Sequence, residues 1–379
     1  MERVYGNKTD CSGCGACAWL CPQGAIAMQA DEEGFLYPDI QQENCIDCGV
    51  CKVRCPFQQD GHFKEAGPPR FYAARHRSRE VLEQSTSGGA FTALSDAVLR
   101  QGGVVYGADY DETFCVAHKR AETAAQRDRM RISKYVQSDL GETFIQVKAD
   151  LQKGRKVLFS GTPCQAAGLR SFLQGSPLLP NLYVCDLICH SIPSPYIWEA
   201  YKMLLEKENT GKLTHVQFRS KKDGWSRANS NKGFLFSLDG ETVLREDDRF
   251  YELFFKVKAI TRPSCSSCRF TDVQRASDVT IADYWGIEKY QPEWFDSLGV
   301  SLVMVSSEQG AALLKQCRED LLFEERPAAE SLQEQQRLSR PGALPPERER
   351  FWEDFRQFGL GYVLKKMEKE RNTEHSCNI

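Results

Sequence analysis

Eight cysteines carry the first chemistry legible in the chain: Cys11, Cys14, Cys17 and Cys21, with Pro22 after them, and the same spacing again at Cys45, Cys48, Cys51 and Cys55, with Pro56 after them. A cubane needs four thiolates converging on a small cube. The run C-x2-C-x2-C-x3-C-P supplies three from one tight loop and sends the fourth to the neighbouring cluster. The two halves therefore interlock: one 4Fe-4S cluster takes Cys11, Cys14, Cys17 and Cys55, the other Cys45, Cys48, Cys51 and Cys21. Gly13, Gly15 and Gly49 let backbone N–H groups wrap close to sulfur. Zinc is the competing reading, but a zinc site closes with four ligands and has no reason to repeat a four-cysteine run.

A second set lies further on. Cys164 falls in the turn after one predicted strand, Cys189 at the end of the next, and Cys265 and Cys268 form a C-x2-C pair. Open α/β sheets collect ligands at the carboxyl ends of their strands, so these four thiolates are expected to hold a third 4Fe-4S cluster. A zinc ribbon at the pair with two buried thiols is the alternative. Cys185 reads as a small buried apolar residue, and Cys115 and Cys317 have no partner at useful spacing. His190, beside Cys189, is positioned either to donate a proton to a substrate or to hydrogen-bond a cluster. Ser87-Gly88-Gly89 before a predicted helix can present bare N–H groups to a phosphate or serve as a plain N-cap. Arg127, Arg129, Arg131 and Lys134 read as a solvated face or a phosphate clamp. Neither GxGxxG nor GxxxxGK[ST] occurs, so a nucleotide cofactor must be held in another way.

The elements that must position these groups are alternating. Strands are expected at 71–75, 103–110, 156–160 and 182–188, with helices at 89–100, 144–152 and 165–173, a pattern that favours an α/β sheet. Antiparallel strands at 216–219, 233–238 and 242–245 follow, the last two joined at Asp239-Gly240. Buried strands are expected at 279–282 and 301–306. One amphipathic helix is expected over 348–371, with Trp352, Phe355, Phe358 and Leu360 inward. The fold class is thus α+β and α/β. Residues 1–60 form a bacterial-type double-cluster ferredoxin domain, 61–70 a Gly/Pro-rich linker, 71–320 an α/β cofactor domain with an antiparallel extension, and 321–379 a C-terminal helical segment.

The 379 residues allow two or three compact units. Forty-nine basic against 52 acidic residues leave a formal charge of −3, too little positive field for non-specific nucleic-acid binding. No apolar run approaches a membrane span, and no signal-peptide pattern precedes Cys11. A cytoplasmic, reducing setting is expected, with any membrane attachment through a partner.

The order of the pieces resembles the coenzyme F420 hydrogenase/dehydrogenase beta subunit family. The ferredoxin repeat is followed by Ser85-Thr86-Ser87-Gly88-Gly89, Lys134-Tyr135-Val136-Gln137-Ser138, Gly161-Thr162-Pro163-Cys164-Gln165, Cys189-His190-Ser191-Ile192-Pro193-Ser194, Cys265-Ser266-Ser267-Cys268 and Ala282-Asp283-Tyr284-Trp285-Gly286. The resemblance covers roughly residues 1–310. It implies FAD in the α/β domain, with Ser87, Gly88 and Gly89 cradling its phosphates, Lys134 and Tyr135 lining the flavin site, and Thr162 and Gln165 near the isoalloxazine. Two departures stand out: Cys-His-Ser where the family usually reads Cys-His-Gly, and Ala-Asp-Tyr where Gly-Asp-Phe is common. The implied activity is an iron-sulfur flavoprotein oxidoreductase that exchanges electrons with ferredoxin or a redox partner subunit. Its small-molecule two-electron substrate would be a deazaflavin, a nicotinamide or an organic intermediate. The alternative is an electron-relay subunit with no substrate of its own.

Overall fold

The computed structural model describes residues 3–59, 67–230, 233–246 and 248–377, with side chains to Arg371. Most of the expected linker, 61–66, lies outside the described residues. The cysteine-rich region contains a hairpin of β1 (Ile26–Ala30) and β2 (Leu36–Ile40), which the spacing of the cysteines did not foretell.

Beyond it stands an eight-stranded mixed sheet. Its strands are β3 (Arg70–His76), β4 (Val104–Tyr110), β5 (Val116–Ala121), β6 (Val157–Gly161), β7 (Leu182–Leu187), β11 (Val279–Asp283), β12 (Ser301–Val305) and β13 (Leu321–Arg326), in the order β13-β3-β12-β11-β7-β6-β4-β5. The centre β4-β6-β7-β11 is parallel and the outer pairings are antiparallel. Val157-Leu158-Phe159 and Leu182-Tyr183-Val184-Cys185 are buried, the continuous apolar run expected of parallel strands covered on both faces. Cys185 packs in that core as expected.

Between β7 and β11, the strands β8 (Leu213–Gln217), β9 (Phe234–Leu238) and β10 (Glu241–Arg245) form a separate three-stranded antiparallel sheet rather than a continuation of the large one. Asp239 and Gly240, both at positive φ (47° and 90°), make the tight turn. The first of these strands begins three residues earlier than its apolar pattern implied. This sheet, the helix Pro195–Asn209 and the C-terminal helices share one core around Trp198, Phe218, Phe250 and Trp352.

Two expectations for the C-terminal region are corrected. Residues 321–326 are not helical: β13 pairs antiparallel with β3 as an edge of the large sheet, where Leu321 is buried. The single helix over 348–371 is two, Arg348–Phe358 and Leu360–Cys377. Gly359 at φ 76° breaks it, a backbone state that glycine adopts without a Cβ clash. The break leaves Phe358 half exposed, while Trp352 and Leu360 are buried.

Candidate functional site

The parallel strands deliver their ends to one place. After β6, Thr162 caps the helix Pro163–Phe172, with Pro163 at its first position and Gln165 closing a capping box. Cys164 therefore belongs to the first helical turn, not to the preceding loop, because proline's fixed φ starts the helix before it. There burial pushes the Cys164 thiol pKa up, and the backbone N–H groups of Cys164 and Gln165 act to lower it against that larger push. After β7 comes Cys189. The short turn Pro263–Ser267 and the residue after it bring Cys265 and Cys268 alongside.

The twelve cysteines fall into three groups. Cys21, Cys45, Cys48 and Cys51 line one small cavity. Cys11, Cys14 and Cys55 lie within electrostatic reach of Cys17, raising its thiol pKa after the larger effect of burial. Cys164, Cys265 and Cys268 do the same to Cys189. The groups also touch in series. Cys51 bears on Cys17, Cys164 on Cys14, and Cys55, Cys164 and Cys268 pack on one apolar cluster with Phe57 and Phe270. Among the described residues no three His, Cys, Asp or Glu side chains gather as the ligands of a single ion would; thiolates on a cubane each bind a different iron.

The seam between the cysteine-rich region and the large sheet is close. Gly168 lies where an added Cβ would stand 2.9 Å from Cys14 Cβ and 3.0 Å from its sulfur. Arg262, fully buried, donates to the Cys11 carbonyl at 2.9 Å, the Leu36 carbonyl at 2.9 Å and Gln137 Oε1 at 3.2 Å. Arg348 pairs with Glu33, and Ser267 Oγ donates to the Thr9 carbonyl at 2.8 Å.

A cavity of about 620 Å³ opens on the other side of Cys189, within the size range of cofactor and ligand pockets. It collects Ser87, Gly89, Lys134, Tyr135, Thr162, Gln165, Cys189 and His190. Gly88 is not on its surface: a Cβ there would stand 2.4 Å from Ser301 N and 2.5 Å from Ala74 O, so this glycine lets the loop lie against the sheet. Gly89, at φ 77°, is the N-cap of the helix Ala90–Leu99. Gln165 Oε1 accepts from Thr162 N at 3.0 Å, and its Nε2 donates to the Ser138 carbonyl at 3.2 Å.

The basic stretch divides. Arg127 is buried, pairing with Asp96 at 2.7 Å and donating to Thr92 O at 2.8 Å, so it is neither solvated nor a clamp. Arg131 and Lys134 line the cavity. Lys134 Nζ donates to the carbonyls of Arg129 and Ile132 at 2.8 and 2.9 Å, and burial pushes its ammonium down to about 8. His190 lines the cavity too, its imidazole pushed down to about 4 chiefly by burial.

Several residues of the site had no signal of their own in the sequence. His118 stacks on Phe159 at 5.2 Å and stands 2.7 Å from Ser138 Oγ and 3.0 Å from Ser160 O; burial pushes it down to about 4. Arg219 pairs with Asp283 at 2.6 Å, and Trp225 Nε1 donates to the same carboxylate at 2.6 Å. Trp285 stacks on Trp225 at 5.0 Å. Only Asp283 and Trp285 stood in a motif; the others come from lone positions in separate elements.

Residues 154–331 match the family model for the C terminus of the coenzyme F420 hydrogenase/dehydrogenase beta subunit. Residues 10–59 match that of the 4Fe-4S dicluster domain. A ketoisovalerate oxidoreductase subunit, VorC, from Methanothermobacter marburgensis is 33% identical over 60 residues, 15% of this chain and 76% of that one. An uncharacterized ferredoxin from Methanocaldococcus jannaschii is 38% identical over 53 residues, 14% of this chain and 68% of that one. A chain of the F420-reducing NiFe hydrogenase complex from Methanosarcina barkeri superposes with a TM-score of 0.46 at 16% identity, covering 81% of this chain and 94% of that chain. Among the described residues no helix is long and apolar enough to cross a membrane.

Proposed function

The chain belongs to the coenzyme F420 hydrogenase/dehydrogenase beta subunit family, and from that premise we propose that it is an FAD-dependent iron-sulfur oxidoreductase acting in the cytoplasm. In this reading residues 1–60 are the double-cluster ferredoxin domain, 71–320 the cofactor domain and 321–379 its C-terminal support. The observation that carries it is the series of cysteine groups. It leads from Cys21, Cys45, Cys48 and Cys51 through Cys11, Cys14, Cys17 and Cys55 to Cys164, Cys189, Cys265 and Cys268, and ends at the cavity. Thiolates in these groups are the ligand type that cubanes require.

FAD fits the cavity by its lining. Arg131 and Lys134 offer positive charge beside the Ser87–Gly89 turn. Arg131 Nε and Thr92 Oγ1 are buried polar atoms without hydrogen-bond partners, a deficit that a bound polar group removes. Ser87, Gly89 and Lys134 would hold the phosphates, with Gly88 letting the turn lie close to the sheet. Tyr135, Thr162 and Gln165 would line the ring. A bound flavin supplies exchange between one-electron and two-electron carriers. Cys189 would meet the ring side of the cavity, and His190, its imidazole neutral near pH 7, would orient the two-electron substrate through a hydrogen bond. The alternative, an electron-relay subunit, needs no substrate space beyond the flavin.

The test is anaerobic purification followed by measurement of iron, sulfide and flavin per chain. About twelve irons and one FAD are expected from four irons per cubane. About eight irons with FAD would remove the third cluster, and iron without flavin would leave the electron-relay reading.

A further inference from the structure

Beside the large cavity lies a second chamber of about 150 Å³, sharing its walls at His190, Phe254, Phe255 and Arg337. Phe254 and Phe255 belong to a π-helical turn, Glu252–Val257. Such turns are rare and occur frequently at functional sites. The turn ends at Lys258, which adopts φ 61° and lines the chamber; the left-handed region is costly for a residue with a Cβ.

The chamber wall carries two cations, Lys258 and Arg337, and one thiol, Cys265, read above as a cluster ligand. Lys258 Nζ makes no hydrogen bond or ion pair among the described residues. Arg337 makes one, from Nη1 to the Arg340 carbonyl at 3.4 Å. Its Nη2 faces Gly342, where a Cβ would stand 3.0 Å away, and Gly342 lines the same chamber. No aspartate or glutamate is in the chamber wall. Of the other cations on the large cavity, Arg131, Arg219 and Arg227 pair with Asp128, Asp283 and Glu334, and Lys134 donates to two carbonyls. Unpaired cations in a partly enclosed space focus a potential that draws anions.

We propose that this chamber is the substrate subsite and that it takes a planar organic carboxylate, with the aromatic or alkene part against Phe254 and Phe255 and the carboxylate toward Lys258 and Arg337. The word substrate rests on the oxidoreductase reading above; the binding itself does not. Two aromatic side chains in one wall suit a flat apolar group, and a guanidinium and an ammonium in the same wall suit a carboxylate.

Calorimetric titration of the anaerobic holoprotein with trans-cinnamate, its neutral analogue cinnamamide and inorganic phosphate separates charge from shape and class. Saturable cinnamate binding is expected, about tenfold weaker in Lys258→Gln and in Arg337→Gln, the loss of one charged hydrogen bond. It should be unaffected in Lys119→Gln, an exposed cation outside both cavities, with flavin content unchanged in Lys258→Gln. Equal binding of cinnamate and cinnamamide, phosphate binding without cinnamate binding, no saturable heat, or undiminished binding in both chamber variants would each overturn the proposal. Absence of flavin from the wild-type protein would overturn the oxidoreductase reading instead, and the calorimetry would still decide the chamber.

Discussion

Arg262 and Cys11, 251 positions apart in sequence, are joined by the guanidinium Nε donating to the Cys11 carbonyl at 2.9 Å, with Nη2 standing 3.9 Å from the Cys11 sulfur. The same side chain lies 4.2 Å from the Tyr37 ring centroid and reaches Gln137 on the cavity wall. One buried cation thus links the inner cysteine loop to the cavity. Its hydrogen-bond partners are carbonyls, an amide and a thiol, so its charge is left to act on sulfur. It also acts to lower the pKa of Cys164 and Cys265.

Removing that charge should lower the reduction potential of the inner cluster, because the reduced state carries one more negative charge. Arg262→Gln is expected to shift a midpoint down by on the order of 60 mV, equivalent to a tenfold change for a one-electron couple. Arg262→Lys, which keeps the charge, should recover most of it. Redox titration followed by electron paramagnetic resonance measures this, and an unchanged midpoint in Arg262→Gln would refute it.

Gly168→Ala should damage the inner cluster selectively. The new methyl would stand 2.9 Å from Cys14 Cβ on a helix whose backbone cannot easily retreat. Iron per chain should fall by about four, one cubane's worth, with flavin retained. Full iron content would show that the seam yields.

Ser191 occupies φ 150°, a conformation that L side chains rarely adopt, directly after Cys189 and His190. Ser191→Gly should release backbone strain and raise stability by about 1 kcal/mol after the entropic cost of glycine. Urea unfolding of the two proteins gives the sign, and a lower midpoint for the glycine variant would contradict the strain.

Anion binding in the large cavity should weaken as pH rises through about 8. Burial holds the Lys134 ammonium down to about 8, well under its usual 10.5, so the charge is present below that value and lost above it. Between about 8 and 10.5 the unfolded chain binds the proton that the folded chain has released, so this residue's contribution to stability rises with pH across that window. FAD dissociation constants measured from pH 6.5 to 9.5 should rise above pH 8 in the wild type. In Lys134→Met they should be weaker throughout and lack this inflection.

The cluster loops and most of the central strands were legible because their causes are local. Three of each cubane's four ligands come from one turn, and Val157-Leu158-Phe159 announces a buried strand by its own composition. The capping box at Thr162 and Gln165 was there to be read too, and it moves Cys164 into the helix. Where long-range pairing competes with local pattern the reading failed: β13 has helix-compatible residues, and only the free edge of β3 makes it a strand. Ligand types, their spacing and the family follow from the linear order of residues alone. That Arg262 lies against Cys11, that Gly168 admits Cys14, and that Lys258 and Arg337 face one chamber follow only from the packed fold. Those outcomes depend on which surfaces meet across hundreds of residues, and a lone arginine or glycine carries no local mark of the partner it will find.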